Sequence, residues 1–174
     1  MSRTTAIRLS VVIIAMALVL GAPVVAGDID AKTAFEKMKT LAGDWKGGVS
    51  EGDHKVHHAV QVSANGSVVM ETMNPGTPHE MINMYHLDGE KLVLTHYCAG
   101  GNQPTMQLDR EASTPTMLIF DFTGGTNLDP AVDQHIHNAQ ITWDGDDRIE
   151  SKWFSYAAGK QAGEMTFDLK RSTD

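Results

Sequence analysis

The sequence predicts an all-β fold, an antiparallel up-and-down β-barrel with one short N-terminal helix. Three observations lead there. Short runs of alternating apolar and polar residues fill the chain after Gly43, turn dipeptides such as Asn65-Gly66 and Asp88-Gly89 separate them, and no helical pattern recurs between them. Strands joined by tight hairpins without crossover helices exclude a doubly wound α/β arrangement. Such a meander must close on itself or bury its edges, so a closed barrel is expected first and a sandwich second.

The first 26 residues read as a secretory signal peptide. Arg3 and Arg8 precede an apolar run from Leu9 to Leu20, too short for a membrane span, and Val24-Val25-Ala26 offers small residues for cleavage before Gly27. A retained anchor is the alternative. No Cys follows the run, which argues against a lipoprotein, and the expected location is secreted or periplasmic. Removing residues 1–26 leaves a single expected domain, residues 27–174, of ordinary size. Arg3 and Arg8 leave with the signal, taking the formal charge from −8 to −10. An acidic surface argues against nucleic acid and, after cleavage, against a membrane as partner. One cysteine excludes an internal disulfide and a multi-Cys zinc ribbon, leaving Cys98 as either an inert buried thiol or a reactive one.

Within the expected domain the helix comes first. Asp30 can cap it, Ala31, Phe35, Met38 and Leu41 form its apolar stripe, Lys37 and Lys39 suit its negative end, and Gly43 ends it. Strands then follow over residues 56–62 and 67–73, with Asn65-Gly66 between them, and over 80–87 and 91–99, with Asp88-Gly89 between them. Further strands are expected over 116–123, 135–143, 149–156 and 164–171.

Pairing across the turns places the candidate site residues. A two-residue Asp88-Gly89 turn sets Tyr85 opposite Leu92, Asn83 opposite Leu94, Met81 opposite His96 and His79 opposite Cys98, all on one face. His79, His96 and Cys98 are then candidate zinc or copper ligands, and an imidazole beside a thiol could also lower the thiol pKa. The alternative makes Cys98 a small buried hydrophobe, with the histidines satisfied by Asn, Tyr or backbone. Pairing across Asn65-Gly66 sets Val60 opposite Glu71 and His58 opposite Met73. Glu71 then stands among valines and a histidine, where desolvation would raise its pKa and it could serve as a general acid or base, or pair with an imidazolium; the other register turns it to solvent, the commoner place for a Glu. His135 and His137 share a phase with Ala139, Ile141 and Trp143, opposite Ile149, Ser151 and Trp153. That phase is expected to face inward and to bring His137 toward His96 and Cys98, although His135 at the strand end could equally face solvent. Strand methionines, among them Met73, Met81 and Met165, would give an adaptable lining or plain core filler. Asp144, Asp146 and Asp147 lack calcium-loop spacing and read as an acidic turn.

Gly43-Asp44-Trp45-Lys46-Gly47 after a short helix, with Arg171 in the last strand, resembles the signature of the calycin superfamily, which includes lipocalins, fatty-acid-binding proteins and nitrobindin-like haem barrels. The resemblance implies that the indole plugs the closed end of a barrel and that the guanidinium stacks on it. Pro75-Gly76-Thr77-Pro78-His79-Glu80-Met81, Thr95-His96-Tyr97-Cys98, Gly101-Asn102-Gln103-Pro104, His135-Ile136-His137 and Glu150-Ser151-Lys152-Trp153 are similar to a family of small exported bacterial barrels with no assigned activity. Nitrobindins bind haem through a late-strand histidine. Here no His follows His137, and Val49 stands where their motif ends in Gly.

The function expected from these residues is an exported barrel that binds a small apolar or amphipathic molecule, with Glu71, His79, Met81, His96, Cys98, His137 and Trp153 around the ligand. The alternative is a metal or haem site, possible cofactors being zinc, copper or haem, with catalysis left open. An enzyme without metal ranks last, because the sequence has no nucleophile elbow, phosphate loop or paired-carboxylate motif.

Overall fold

The computed structural model describes residues 29–50, 52 and 54–173; the expected signal peptide lies outside them. Helix α1 (Ala31–Lys39) leads into ten strands: β1 (Gly43–Val49), β2 (Lys55–Ser63), β3 (Val68–Met73), β4 (Met81–Asp88), β5 (Lys91–Tyr97), β6 (Gln103–Leu108), β7 (Met117–Thr126), β8 (His135–Trp143), β9 (Arg148–Ala157) and β10 (Lys160–Arg171). Each strand pairs antiparallel with its neighbour in the chain. β10 then pairs with β1, Trp45 opposite Arg171 and Val49 opposite Phe167, so the sheet closes into a barrel without a free edge.

Local chemistry starts the fold. The Asp30 carboxylate accepts the Thr33 N–H at 2.9 Å and caps α1, while Lys37 and Lys39 occupy its last turn. The helix buries Ala31, Ala34, Phe35 and Met38 and packs against β4 and β5, closing one end of the barrel. Trp45 is fully buried at that end and donates its indole N–H to the Leu41 carbonyl at 2.7 Å. The Arg171 guanidinium lies 4.3 Å from the Trp45 ring and donates to the Ala42 and Thr40 carbonyls at 2.8 and 2.9 Å. One side chain of the last strand therefore ties the helix exit to the first strand, supplying partners for carbonyls that a helix end leaves free.

Closure also depends on Gly47. A Cβ there would stand 1.8 Å from the Asp168 carbonyl oxygen, so β1 and β10 can approach only if this position has no side chain. Gly47→Ala is expected to cost about 1–3 kcal/mol or more through backbone displacement. At Gly48 a Cβ would meet nothing within 4 Å. Gly48→Ala is the control, expected to stay within about 0.5 kcal/mol in thermal unfolding. Equal losses in the two variants would refute the close-approach account.

Several expectations need correction. β6 was not anticipated: Pro104 falls inside its alternating run, and proline within a run argues against a strand. Here Pro104 lies opposite Gly125, one step from the bulge that shifts the β6–β7 register. β10 starts at Lys160 rather than residue 164, because Ala158 (φ 50°) and Gly159 (φ 70°) form a tight turn without the Asn or Asp that marked the others. The β4–β5 turn has Gly89 and Glu90 as its central residues, with Gly89 at φ 59°, so Asp88 pairs with Lys91. Every pair in that hairpin is thereby displaced by two residues, and Asn83, not Met81, faces His96. Across the preceding turn the expected pairs are present, Val60 with Glu71 and His58 with Met73.

Candidate functional site

Four neighbouring strands together supply five polar residues to the buried face. His58 comes from β2, Glu71 from β3, Asn83 and Tyr85 from β4, and His96 from β5; all five are buried. Alternation puts them inward, and register makes them touch. The Glu71 carboxylate is the hub. Its Oε1 accepts from His58 Nδ1 at 2.8 Å, and its Oε2 accepts from Asn83 Nδ2 at 2.8 Å and from the Tyr85 hydroxyl at 3.0 Å. Burial alone would push the carboxyl up. Hydrogen bonding and attraction from His58, with the Asn83 and Tyr85 hydrogen bonds, outweigh burial and hold it below the ordinary carboxylate value. The inward register holds and the pairing with an imidazole is present, but the expected rise in the Glu71 pKa is corrected: the residue serves as a charged acceptor. Burial, the charge of Glu71 and the hydrogen bond to it push Tyr85 well above its usual range, so its hydroxyl remains a donor.

The network continues from Asn83 to His96, whose Nδ1 lies 2.7 Å from Asn83 Oδ1. A carboxylate can only accept, so Glu71 orients the Asn83 amide with its nitrogen toward Oε2 and its oxygen toward His96. His96 Nδ1 must then carry the proton. Burial lowers the His96 pKa from 6.5 to about 4, against an opposing pull from Glu71, so the ring is neutral at physiological pH. Its Nε2 is an unprotonated lone pair, buried and without a hydrogen-bond partner.

His96 borders an interior cavity of about 380 Å³ toward the barrel end opposite α1. Met73, Met81 and Met165 supply thioethers to its wall, Trp153 and Ile136 supply flat and branched apolar surface, and Cys98, Gln134 and Ser155 add polar atoms. The Trp153 ring lies 5.5 Å from that of His96 at 43°. Asn102 closes the rim by donating to the Gln134 carbonyl at 2.8 Å, and its own carbonyl accepts the Cys98 N–H at 3.1 Å. The bulges in β7, β8 and β10 occur toward this same end, and the bulge in β10 brings Ala162 to the cavity wall. A broader outer groove of about 650 Å³ beside β1 and β2 has exposed walls, and its histidine, His57, already pairs with Asp44 at 2.7 Å.

Met81, His96, Cys98 and Trp153 stand together on the cavity wall, while Glu71 lies behind it as the support of Asn83. His79 does not join them. It is exposed on the β3–β4 connection, because the two-residue displacement of the hairpin starts β4 only at Met81. His137 is also elsewhere, since the pairing of β8 with β9 skips it and breaks the alternation that pointed it inward. It stacks between Phe122 and Tyr156, with ring centroids 4.6 and 3.9 Å away, and its Nδ1 lies 3.0 Å from His135 Nε2. Burial and the neighbouring His135 lower its pKa, against Asp121. Among the described residues, no three His, Cys, Asp or Glu side chains stand close enough to hold a metal ion, so His79, His96 and Cys98 do not form the expected ligand set. Asp144 and Asp147 instead pair with Arg148 and Arg171, as an acidic turn does.

Sequence reasoning passed over Asn83 and Tyr85 as functional groups, although both lay on the His96 face in the expected hairpin. A polar pair in phase with an inward histidine was the available signal. Fold and site together define a class: closed antiparallel β-barrels with an interior cavity walled by thioethers and an indole, and backed by a buried polar network. Searches of protein-family models and of curated proteins find no match to this chain.

Proposed function

We propose that the protein is an exported binding protein for a small, largely apolar molecule held inside the barrel. The observation that carries this reading is the cavity of about 380 Å³, more apolar than polar in its wall, with polar atoms from His96, Gln134, Ser155 and Glu164. Pockets of roughly 300–1,000 Å³ with that balance suit small organic ligands. Met73, Met81 and Met165 allow the wall to conform to irregular shapes, since unbranched thioethers change rotamer at low cost. Trp45 beneath Arg171 is the arrangement that the calycin resemblance implies, and it supports the same reading. Among the described residues no helix is long and apolar enough to cross a membrane.

The test uses the neutral fluorophore N-phenyl-1-naphthylamine. The protein is expected to bind one molecule per chain with enhanced, blue-shifted emission. Ser155→Trp, which fills the cavity from β9, is expected to weaken binding by about tenfold or more through steric exclusion. Absence of saturable binding, or equal binding by the filled variant, would overturn the proposal.

A further inference from the structure

We propose that the cavity selects neutral aromatic ligands bearing a hydroxyl or N–H donor, in preference to ethers and carboxylates, and that His96 Nε2 is the acceptor that selects them. This rests on the small-molecule reading above and names the chemical class of its ligand. The selection originates at Glu71, whose carboxylate is unable to donate. Its Oε2 takes the Asn83 amide nitrogen at 2.8 Å, so Asn83 presents its oxygen to His96 Nδ1 at 2.7 Å. The imidazole is thereby locked in the Nδ1–H tautomer, with an acceptor at Nε2. His58 has an unpartnered Nε2 too, but only His96 borders the cavity.

A buried acceptor left unpaired is unfavourable, and a ligand donor that satisfies it gains more than one that lacks it. Asn83 Oδ1 holds the single ring proton at Nδ1, and burial disfavours a second proton at Nε2. A carboxylate would therefore meet a lone pair, with the charge of Glu71 one residue behind and Glu164 beside the cavity. An ether would place a second acceptor against the first. Trp153, 5.5 Å from the His96 ring, offers the flat surface on which an aromatic body can lie.

The experiment compares 2-naphthol, 2-methoxynaphthalene and 2-naphthoate by isothermal titration at neutral pH, on the wild-type protein and on His96→Leu. Wild type is expected to bind 2-naphthol about tenfold or more tighter than either analogue, and His96→Leu to lose that preference. The ¹⁵N resonance of His96 Nε2 gives a second readout in the wild-type protein that does not depend on a variant folding. It is expected to shift on adding 2-naphthol and to stay in place with 2-methoxynaphthalene. Equal affinity for naphthol and its ether, tightest binding of the naphthoate, or an unmoved Nε2 signal at saturation would overturn the selection by His96 while leaving the cavity a binding site. Failure of all three naphthalenes and of N-phenyl-1-naphthylamine to bind would overturn the binding reading with it.

Discussion

Replacing Glu71 with Leu is expected to lower the free energy of unfolding by about 3–5 kcal/mol, the cost of removing one partner from a buried charged network. His58, Asn83 and Tyr85 all donate to this carboxylate, and all three are buried. With leucine in its place, their donors face an apolar side chain in a space closed to water. Glu71→Gln keeps the shape yet brings an amide N–H₂ against at least one of those donors, and a loss of about 1–3 kcal/mol is expected. A domain of this size has roughly 5–15 kcal/mol to lose, so Glu71→Leu should be only marginally folded. Urea unfolding at neutral pH measures both. A loss below about 1 kcal/mol in Glu71→Leu would show that the donors find other partners and that Glu71 is not the hub.

Acidification from pH 6.5 to about 4 is expected to remove about 3 kcal/mol of stability through His96 alone. The folded ring has its pKa lowered from 6.5 to about 4 by burial, so across that window the unfolded chain takes up a proton that the folded chain refuses. Where the unfolded state binds more protons, stability falls as pH falls; below the folded pKa this contribution stops changing. His137, also lowered, acts in the same sense, damped by its partial contact with solvent. Glu71 acts lower down. Its pKa is held below 4.5, so its contribution is intact above that value and is lost only as pH falls through its folded pKa. Urea midpoints across this window, compared between wild type and His96→Gln, separate these parts. Gln retains an N–H for Asn83 and does not titrate, so its profile should be flatter by most of that amount. Parallel profiles would mean that His96 charges freely in the fold.

How much of this was legible depends on which property of a strand each residue needed. Alternation places a residue on a face, and a register error of two residues leaves every face unchanged. The β4–β5 hairpin shows this. Gly89 and Glu90 turn where Asp88-Gly89 was expected, yet Met81, Asn83, Tyr85, His96 and Cys98 keep a common face. What the shift altered was contact: His96 gained Asn83 in place of Met81, and His79 lost its strand. Glu71 was placed correctly because Ser63 and Val68 flank the Asn65-Gly66 turn in the expected register. His137 was misplaced because the β8 bulge inserts a residue and reverses the parity from which its orientation was read.

The order of alternating runs and turns in the sequence was by itself sufficient for the antiparallel barrel, its capped N-terminal helix and most of its inward-facing residues, because these follow from backbone periods that each segment carries alone. The pairing of β1 with β10, the bulges around the rim, the cavity and the hydrogen bonds from His58 through Glu71 and Asn83 to His96 were decided only by the tertiary structure. Each joins groups distant in the chain at separations of a few ångströms, and no local period encodes that distance.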